Sequence, residues 1–266
     1  MKIGFIGLGN MGGSLARLVA QDERYRSELL LANRSRDKAE KIAAEVGGQP
    51  VSNEDVFVQA EVIFLGIKPA QFADLLAEYQ EILKKRESLL LVSMAAGLPL
   101  ETLEKLTPSH HRWIRIMPNT PVAVGEGVIT YALYQQANQV DEDLLRELLS
   151  SAGLLVKLEE KQLDAATALA GCGPAFVYLF IEALADAGVR AGLSRDIALQ
   201  LANQTLLGAA KLGQVSGQHP AQLKDQVCSP AGSTIAGVAS LEENAFRGTV
   251  MAAVQAAYKR TQELGK

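Results

Sequence analysis

Short apolar segments alternate with amphipathic helical segments through the first 160 residues, and this alternation constrains the fold most strongly. The strand-like segments are apolar throughout, so both faces of each strand are expected to be buried. Such strands, separated by helices, predict a parallel sheet with helices on both faces. The predicted strands are Ile3–Ile6, Leu29–Ala32, Val62–Ile67, Leu89–Ser93, Ile114–Met117, Val128–Tyr131 and Leu154–Leu158, and the predicted helices are Gly12–Gln21, Asp37–Val46, Phe72–Leu83 and Glu142–Ser150.

The pattern changes near Glu159, after which only helical segments follow. Ser194 is a predicted helix N-cap, and Gly188 is a predicted helix stop. We therefore predict an α/β domain over residues 1–160 and an all-α domain for dimerisation and substrate binding over residues 161–266. The helices predicted in the second domain are Asp164–Leu169, Ala175–Ala187, Arg195–Leu212, Pro220–Val227, Thr234–Glu243 and Phe246–Gln262.

Composition and charge exclude several classes of function. The chain is 48% hydrophobic and 21% charged with a formal net charge of −4, and no Lys/Arg cluster indicates nucleic-acid binding. Cys172 and Cys228 lack metal-ligand spacing, so we expect neither a metal site nor a disulfide. No apolar run approaches the roughly 20 residues of a membrane span. With no signal-peptide pattern at the start, a cytoplasmic location is expected.

The segment Ala175–Ala185 is unusually apolar, with Glu182 as its single charged residue. A helix that is apolar on all sides must be covered by protein. Two interpretations stay open here. Either this is the central core helix of its own domain, or the helical half interleaves with a second copy to form an obligate homodimer.

A glycine-rich turn follows the first predicted strand and opens the first predicted helix. Gly7, Gly9 and Gly12 have the spacing of a dinucleotide fingerprint, in which the glycines permit the turn, the approach of the pyrophosphate and the helix–strand contact. This context predicts a Rossmann-type doubly wound domain. The predicted cofactor-binding residues here are Gly7, Leu8, Gly9, Asn10, Met11 and Gly12.

The end of the second predicted strand indicates which nucleotide is bound. An NAD site commonly has a carboxylate there to hold the ribose 2′-hydroxyl. In this chain the strand runs into Asn33-Arg34-Ser35, and no carboxylate precedes Asp37. A guanidinium with neighbouring amide and hydroxyl groups suits a 2′-phosphate. We therefore predict NADPH as the cofactor, with NADH possible.

Two more turns lie at the carboxyl edge of the predicted sheet, where ligands bind in open α/β folds. One contains Gly66, Lys68 and Pro69, and the other contains Asn119 between two prolines. Turn chemistry alone would explain either one. Their shared edge favours a cofactor-binding role for these four residues.

A small-residue turn, Ser229-Pro230-Ala231-Gly232-Ser233-Thr234, opens a predicted helix far from the glycine-rich turn. The free backbone N–H groups of a helix start can hold a carboxylate. Together the two turns indicate an acid substrate that is presented to a nicotinamide.

These residues carry a resemblance that covers essentially the whole chain. The chain resembles pyrroline-5-carboxylate reductase through Gly7–Gly12, Lys68-Pro69, Met117–Pro121, Gly171–Ala175 and, most specifically, Ser229–Thr234. Cys172, Ala231 and Ser233 replace the Ser, Gly and Ala that are common in that family, which leaves fine specificity in question.

The resemblance implies an NAD(P)H-dependent reduction of 1-pyrroline-5-carboxylate to L-proline, the last step of proline biosynthesis, by hydride transfer to the imine carbon. It implies that the N–H groups of Gly232, Ser233 and Thr234 receive the substrate carboxylate and that the catalytic residue Thr234 bonds the ring nitrogen through its hydroxyl. It also implies a homodimer, possibly in a ring of dimers. No acid or base is required, because hydride arrival neutralises a protonated imine.

Two alternatives remain at this stage. A β-hydroxyacid dehydrogenase-like oxidoreductase has a similar glycine turn, although members of that family place a catalytic lysine on the helix that corresponds to Ala175–Ala187, which has none. A non-catalytic NADPH-binding module is the other. If Thr234 is only a helix N-cap, its hydroxyl satisfies its own helix and has no role in substrate binding.

Overall fold

The computed structural model describes residues 1–264. They divide into two compact units. Unit 1 contains residues 1–172 and the segment from Ala257 onward, and unit 2 contains Gly173–Ala256.

Unit 1 is built on a sheet that eight strands of the described chain form in the order β3-β2-β1-β4-β5-β6-β7-β8. The first six strands in this order form five parallel pairs, and β7 also pairs in parallel with β8. The strands are β1 Ile3–Ile6, β2 Leu29–Ala32, β3 Gln49–Pro50, β4 Val62–Leu65, β5 Leu90–Ser93, β6 Arg112–Pro118, β7 Gly127–Leu133 and β8 Gly153–Lys157.

The predicted parallel sheet has one exception, at β6 and β7. These strands are antiparallel, with Ile114 opposite Leu133 and Pro118 opposite Ile129. The reason is the length of their connection, since only residues 119–126 join them. A parallel crossover needs a dozen or more residues, so the chain turns back at this point.

Helices cover both faces of the sheet in unit 1, and unit 2 is helical throughout. The helices before Gly173 are α1 Asn10–Val19, α2 Glu23–Arg26, α3 Arg36–Val46, α4 Asn53–Gln59, α5 Phe72–Glu78, α6 Gln80–Lys85, α7 Leu100–Lys105, α8 Gln139–Leu148 and α9 Leu163–Ala166. The later helices are α10 Gly173–Arg190, α11 Arg195–Ser216, α12 Pro220–Val227, α13 Ser233–Glu243 and α14 Phe246–Leu264.

Several helix boundaries differ from the prediction. The predicted helix Phe72–Leu83 is broken at Tyr79. Gly188 does not end a helix, because α10 continues to Arg190. A Cβ at Gly188 would lie 3.1 Å from the Cβ of Ala198, so this glycine permits close packing of α10 on α11. The Ser194 N-cap is confirmed, since its hydroxyl accepts from the N–H of Ile197.

The segment predicted as helix Asp164–Leu169 changes its hydrogen-bond pattern midway. After α9, the residues Thr167–Gly171 form a π-helical turn, in which the N–H of Cys172 donates to the carbonyl of Thr167 at 2.9 Å. Single π-turns of this kind are frequent at functional sites.

Successive strand residues point to opposite faces of the sheet and fill two separate cores. Phe5 and Phe64 lie on one face, with ring centroids 4.7 Å apart, and pack with apolar residues of α1, α3 and α8. Ile6 and Leu65 lie on the other face and pack with α4, α5 and α7. The expectation that both faces are covered is therefore confirmed. The carboxyl ends of the parallel strands stay open as one edge of this sheet.

Unit 2 has almost no interior of its own. Its buried cluster consists of Ala185, Ala198 and Ala202, with Ile181 partly buried against them. On α10, Leu179 is 67% exposed although the helix is strongly apolar. The interpretation of α10 as a core helix within a single chain is therefore wrong.

The expectation that no apolar run approaches the length of a membrane span is wrong for one helical segment. The continuous helical run Glu160–Arg190 contains an 18-residue window with a mean hydropathy of 1.7, and 11% of that window is buried within the chain. A helix that pairs with a second copy has the same character, so length and composition alone do not separate the two cases.

Candidate active site

The glycine-rich turn after β1 is held by close backbone contacts. Gly7 has φ +90°, and a Cβ at Gly66 would lie 2.6 Å from the Gly7 carbonyl oxygen. A Cβ at Gly12 would overlap that same oxygen. The turns after β1 and β4 therefore meet at the carboxyl edge of the sheet, which confirms that Gly7, Gly12 and Gly66 lie together.

Gly9 differs from these glycines because its surroundings are open. A Cβ at Gly9 would meet no atom within 4 Å. Gly9 is also the N-cap of α1, whose first turn contains no acidic residue. The first N–H groups of a helix lack intrahelical acceptors and favour an anion. The position of Gly9 therefore leaves room for a phosphate against the N–H groups of Asn10 and Met11.

Asn33 connects the glycine-rich turn to the turn after β2. Its Oδ1 accepts from the N–H of Leu8 at 3.0 Å, and its Nδ2 donates to the carbonyl of Ser35 at 3.1 Å. Arg34 and Ser35 are exposed beside it. Within the described residues Arg34 forms no ion pair, whereas Arg36 pairs with Glu40 at 2.9 Å. The Arg34 guanidinium is thus available to a ligand.

Two cavities flank these turns. One of about 350 Å³ is lined by the apolar residues Ala39, Pro50 and Val51 and by the polar residues Asn33, Arg36, Ser52 and Asp55. The other, about 340 Å³, lies against Gly9 and Asn10 and is lined by three cations, Arg17, Lys38 and Lys41. Sequence reasoning missed Lys38 and Lys41. They lie on α3, one helical turn apart, and that spacing was the available signal.

The turn after β4 presents Lys68 and Pro69 at the same edge. Both are exposed, and the N–H of Lys68 donates to Oε1 of Gln71 at 3.2 Å. The backbone of this turn is therefore fixed while the Lys68 amine extends into solvent.

Asn119 is placed differently from the other predicted cofactor residues. It is 7% exposed. Its Oδ1 accepts from the N–H of Val128 at 2.8 Å, and its Nδ2 donates to the carbonyl of Ala170 at 3.0 Å. The Asn119 carboxamide is thus engaged within unit 1, and its contact with a cofactor stays a prediction.

The turn predicted to bind the substrate, Ser229–Thr234, lies in unit 2 and leads into α13. Gly232 is the N-cap of this helix, so Ser233 and Thr234 are its first two residues. The N–H of Gly232 already donates to the carbonyl of Ser229 at 3.0 Å. Of the three N–H groups predicted to hold a carboxylate, those of Ser233 and Thr234 are the ones without an intrahelical acceptor.

Gly232 and not Thr234 is the N-cap of this helix, so the N-cap interpretation of the Thr234 hydroxyl is wrong. Thr234 is half-buried at the second helical position, and in the described part of the chain its hydroxyl has no hydrogen-bond partner. The first turn of α13 contains no acidic residue. This helix start therefore offers two N–H donors and one hydroxyl.

The turn that leads into α13 is strained at one residue. Ala231 has φ +59°, a left-handed conformation that favours glycine. A Cβ at Gly232 would overlap the Ser229 hydroxyl oxygen and lie 3.1 Å from the Ser229 carbonyl oxygen, so a larger residue at this position would require Ser229 to move. The alanine found in place of the family's glycine is thus tolerated at a cost of about 1 kcal/mol.

His111, outside these turns, has a structural role. His111 is buried, accepts from the N–H of Leu89 at Nδ1 and contacts the carbonyl of Leu83 through Nε2. Burial, with the nearby His110, lowers the pKa of His111 to about 4. Among the described residues no three His, Cys, Asp or Glu side chains form a group that could hold a metal.

Comparison with known proteins gives matches to both halves of the chain. The family model described as pyrroline-5-carboxylate reductase dimerisation matches residues 160–264. The model described as NADP oxidoreductase coenzyme F420-dependent matches residues 2–97. The first of these supports self-association of this chain.

Full-length similarity extends to curated proteins and solved structures. The chain is 45% identical to pyrroline-5-carboxylate reductase from Pisum sativum, covering 98% of this chain and 95% of that protein. A crystal structure of pyrroline carboxylate reductase from Plasmodium falciparum with NADP bound has a TM-score of 0.88 and 36% identity, covering 100% and 98% of the two chains. The corresponding reductase from Coxiella burnetii has a TM-score of 0.90 and 30% identity over the same shares. This chain belongs to the pyrroline-5-carboxylate reductase family.

Proposed function

We propose that this chain reduces 1-pyrroline-5-carboxylate to L-proline with NADPH, the last step of proline biosynthesis. The observation that carries this proposal is the full-length similarity to proteins named for that reduction. The geometry of two turns supports it independently, because one suits a dinucleotide and the other suits a small carboxylate.

The residues of unit 1 fit a dinucleotide. The open space at Gly9 admits the pyrophosphate to the start of α1. Arg34 and Ser35 receive the 2′-phosphate, and Lys38 and Lys41 add positive charge in the adjoining cavity. The adenine occupies the cavity of about 350 Å³. When bound, NADPH supplies the hydride.

The start of α13 holds the substrate carboxylate through the N–H groups of Ser233 and Thr234. A helix start stabilises an anion through its dipole and its unpaired donors. The Thr234 hydroxyl bonds the ring nitrogen, and it can act as acceptor from the protonated imine and as either partner for the amine product.

Catalysis in this proposal consists of positioning. The hydride adds to the carbon of the C=N bond, and the electron pair of that bond moves to the protonated nitrogen, which becomes a neutral amine. No side chain has to transfer a proton in that step. Holding two reactants in the correct geometry can account for several orders of magnitude in rate.

Self-association follows from unit 2, because its buried cluster is small and its exposed apolar side chains require a cover. A homodimer that buries α10 is the assembly we propose, and a ring of such dimers is the larger assembly suggested by the family resemblance. Pairing of this kind also covers the apolar run Glu160–Arg190, so we propose a cytoplasmic enzyme with no membrane attachment.

The two alternatives have less support. Helix α10 contains no lysine, which argues against a hydroxyacid dehydrogenase. A non-catalytic NADPH-binding module leaves the two N–H donors and the hydroxyl of α13 without a purpose.

A paired assay tests the proposal. NADPH oxidation is measured with the pyrroline carboxylate, and NADP⁺ reduction is measured with a set of 3-hydroxyacids. We expect turnover only with the imine. Turnover of a hydroxyacid alone would replace the proposal with the dehydrogenase alternative, and NADPH binding without any turnover would favour the binding module.

A further inference from the structure

The carboxamide of Asn119 joins three segments of unit 1 that are far apart in sequence. Its Oδ1 accepts from Val128 at the second residue of β7, and its Nδ2 donates to the carbonyl of Ala170 in the π-helical turn. Its own N–H donates to the carbonyl of Val128 at 3.1 Å. The residue is buried, so these bonds are shielded from water. We call Asn119 with its bonds to Val128 and Ala170 the Asn119 bridge.

Ala170 lies in the π-helical turn that ends before α10 begins at Gly173, and Pro174 removes the donor that a continuous α-helix would offer to the Ala170 carbonyl. In a regular α-helix the carbonyl of residue 170 accepts from the N–H of residue 174. Pro174 has no N–H. The Asn119 carboxamide supplies at 3.0 Å the donor that the proline withholds.

The Asn119 bridge lies immediately before a segment that matches the family pattern. Gly171-Cys172-Gly173-Pro174 follows Ala170 directly. On the other side, the π-turn is fixed by the Thr167 hydroxyl, which donates to the Leu163 carbonyl at 2.7 Å. A shift of the Ala170 peptide is therefore transmitted to Gly171 and Cys172, since the turn is anchored on its N-terminal side.

We propose that Asn119 is a positioning residue, which replaces the N–H missing at Pro174 and so fixes the backbone of Gly171–Gly173. It acts through Ala170, because its carboxamide is already engaged by Val128 and Ala170. A direct contact of Asn119 with NADPH, which the sequence predicts, is the alternative that the NADPH Kd tests. Only the kinetic part of its test rests on the proposed function.

The test compares Asn119→Asp in the native chain and in the Pro174→Ala chain. Asn119→Asp keeps an acceptor for Val128 but loses the donor for Ala170. In the native chain we expect an increase of about 10- to 100-fold in the KM for the imine, because displacement of a positioned backbone has effects of that size. The Kd for NADPH, measured by fluorescence titration, should change less than 3-fold.

The second background makes the test specific. Pro174→Ala restores an N–H that can bond the Ala170 carbonyl, so Asn119 loses its special role. Asn119→Asp raises the imine KM in both chains, and we expect this rise to be at least 5-fold smaller in the Pro174→Ala chain than in the native chain. Asn138→Ala is the matched control, because Asn138 also bonds backbone N–H groups but only caps α8. Asn138→Ala should lower Tm without changing the imine KM or the NADPH Kd.

A structural readout does not depend on turnover. Hydrogen exchange of the amides of 171–176 should accelerate at least 10-fold in Asn119→Asp and recover in the double variant. If the native enzyme lacks imine reductase activity but exchange follows this pattern, the proposed function fails and the Asn119 bridge stands. A rise in the NADPH Kd equal to that in the imine KM, or equal effects of Asn119→Asp in both backgrounds, would falsify the proposal.

Discussion

The backbone N–H of Leu8 donates to Oδ1 of Asn33 at 3.0 Å, across 25 residues of sequence. This bond ties the glycine-rich turn to the turn that carries Arg34. Both turns are predicted to bind NADPH, so their relative position determines how pyrophosphate and 2′-phosphate are held together.

Replacement of Arg34 by Ala should raise the KM for NADPH by about 10- to 100-fold, because a charged hydrogen bond to the 2′-phosphate is lost. The KM for NADH, which lacks this phosphate, should rise far less. Steady-state kinetics with both cofactors measures this. Asn33→Ala is the comparison variant, because loss of its bond to Leu8 should raise both values together. Equal effects of Arg34→Ala on the two cofactors would show that Arg34 is only a surface turn residue.

Two glycines in one turn should respond differently to alanine. Gly9→Ala should leave Tm within about 2 °C, since its Cβ meets no protein atom, yet weaken NADPH binding at least 10-fold. Gly12→Ala should lower the free energy of unfolding by about 2–3 kcal/mol, because its Cβ overlaps the Gly7 carbonyl. Thermal unfolding and fluorescence titration separate the two effects. A large loss of stability in Gly9→Ala would contradict this assignment.

Thr234→Ala should reduce kcat/KM for the imine by about 10- to 100-fold, the value of a hydrogen bond to a charged group. The Kd for NADPH should be unchanged. Thr234→Ser retains the hydroxyl at the same helical position and should keep most of the activity. An unaltered rate in Thr234→Ala removes this residue from the mechanism.

Because His111 is buried, we expect the free energy of unfolding to fall in mild acid. Burial lowers its folded-state pKa to about 4 from an ordinary 6.5, so the unfolded chain binds the proton more tightly. The contribution of His111 to stability is complete above pH 6.5 and falls as the pH drops toward 4, by about 3 kcal/mol in all.

Urea unfolding between pH 7.5 and 4.5 at fixed protein concentration measures this loss. His111→Gln should be less stable at pH 7.5 but show a flatter pH dependence. His110→Gln, which changes the exposed neighbour, should keep most of the slope. A slope that is the same in native protein and His111→Gln would assign the acid sensitivity to other groups.

Leu179→Glu should disrupt self-association. Leu179 is 67% exposed in the single chain, and in the proposed dimer a charge there would be buried without a partner. Light scattering should show monomers or aggregates at concentrations where the native protein is a dimer or larger. Val140→Glu alters a side chain that is 72% exposed in unit 1 and serves as the control. A native protein that is a stable, active monomer would refute the assembly.

Most of the strands were predictable because apolar segments bounded by turns encode buried strands directly. The grouping of Gly7, Gly12 and Gly66 was also predictable, since parallel strands place their carboxyl ends together. The direction of β7 is not encoded in its residues and depends on the short connection before it. The break at Tyr79 and the two-residue β3 lack any strong local signal.

The candidate site was predicted less completely than the fold. The hydrogen-bond partners of Asn119 lie 9 and 51 residues away, so no local pattern reveals them. The hydrogen bond from the N–H of Gly232 to the Ser229 carbonyl could not be predicted, because it depends on how Pro230 and Ala231 fold back toward Ser229. Lys38 and Lys41 stand on an ordinary charged helix, and only the cavity beside Gly9 distinguishes them.

The three small alanines at the centre of unit 2 have a consequence for how the protein behaves at low abundance. Since so little apolar surface is hidden within one chain, we expect folding of this half and pairing with a second chain to be a single concentration-dependent event. Dilution should then unfold this half of the chain, and specific activity should fall at low protein concentration.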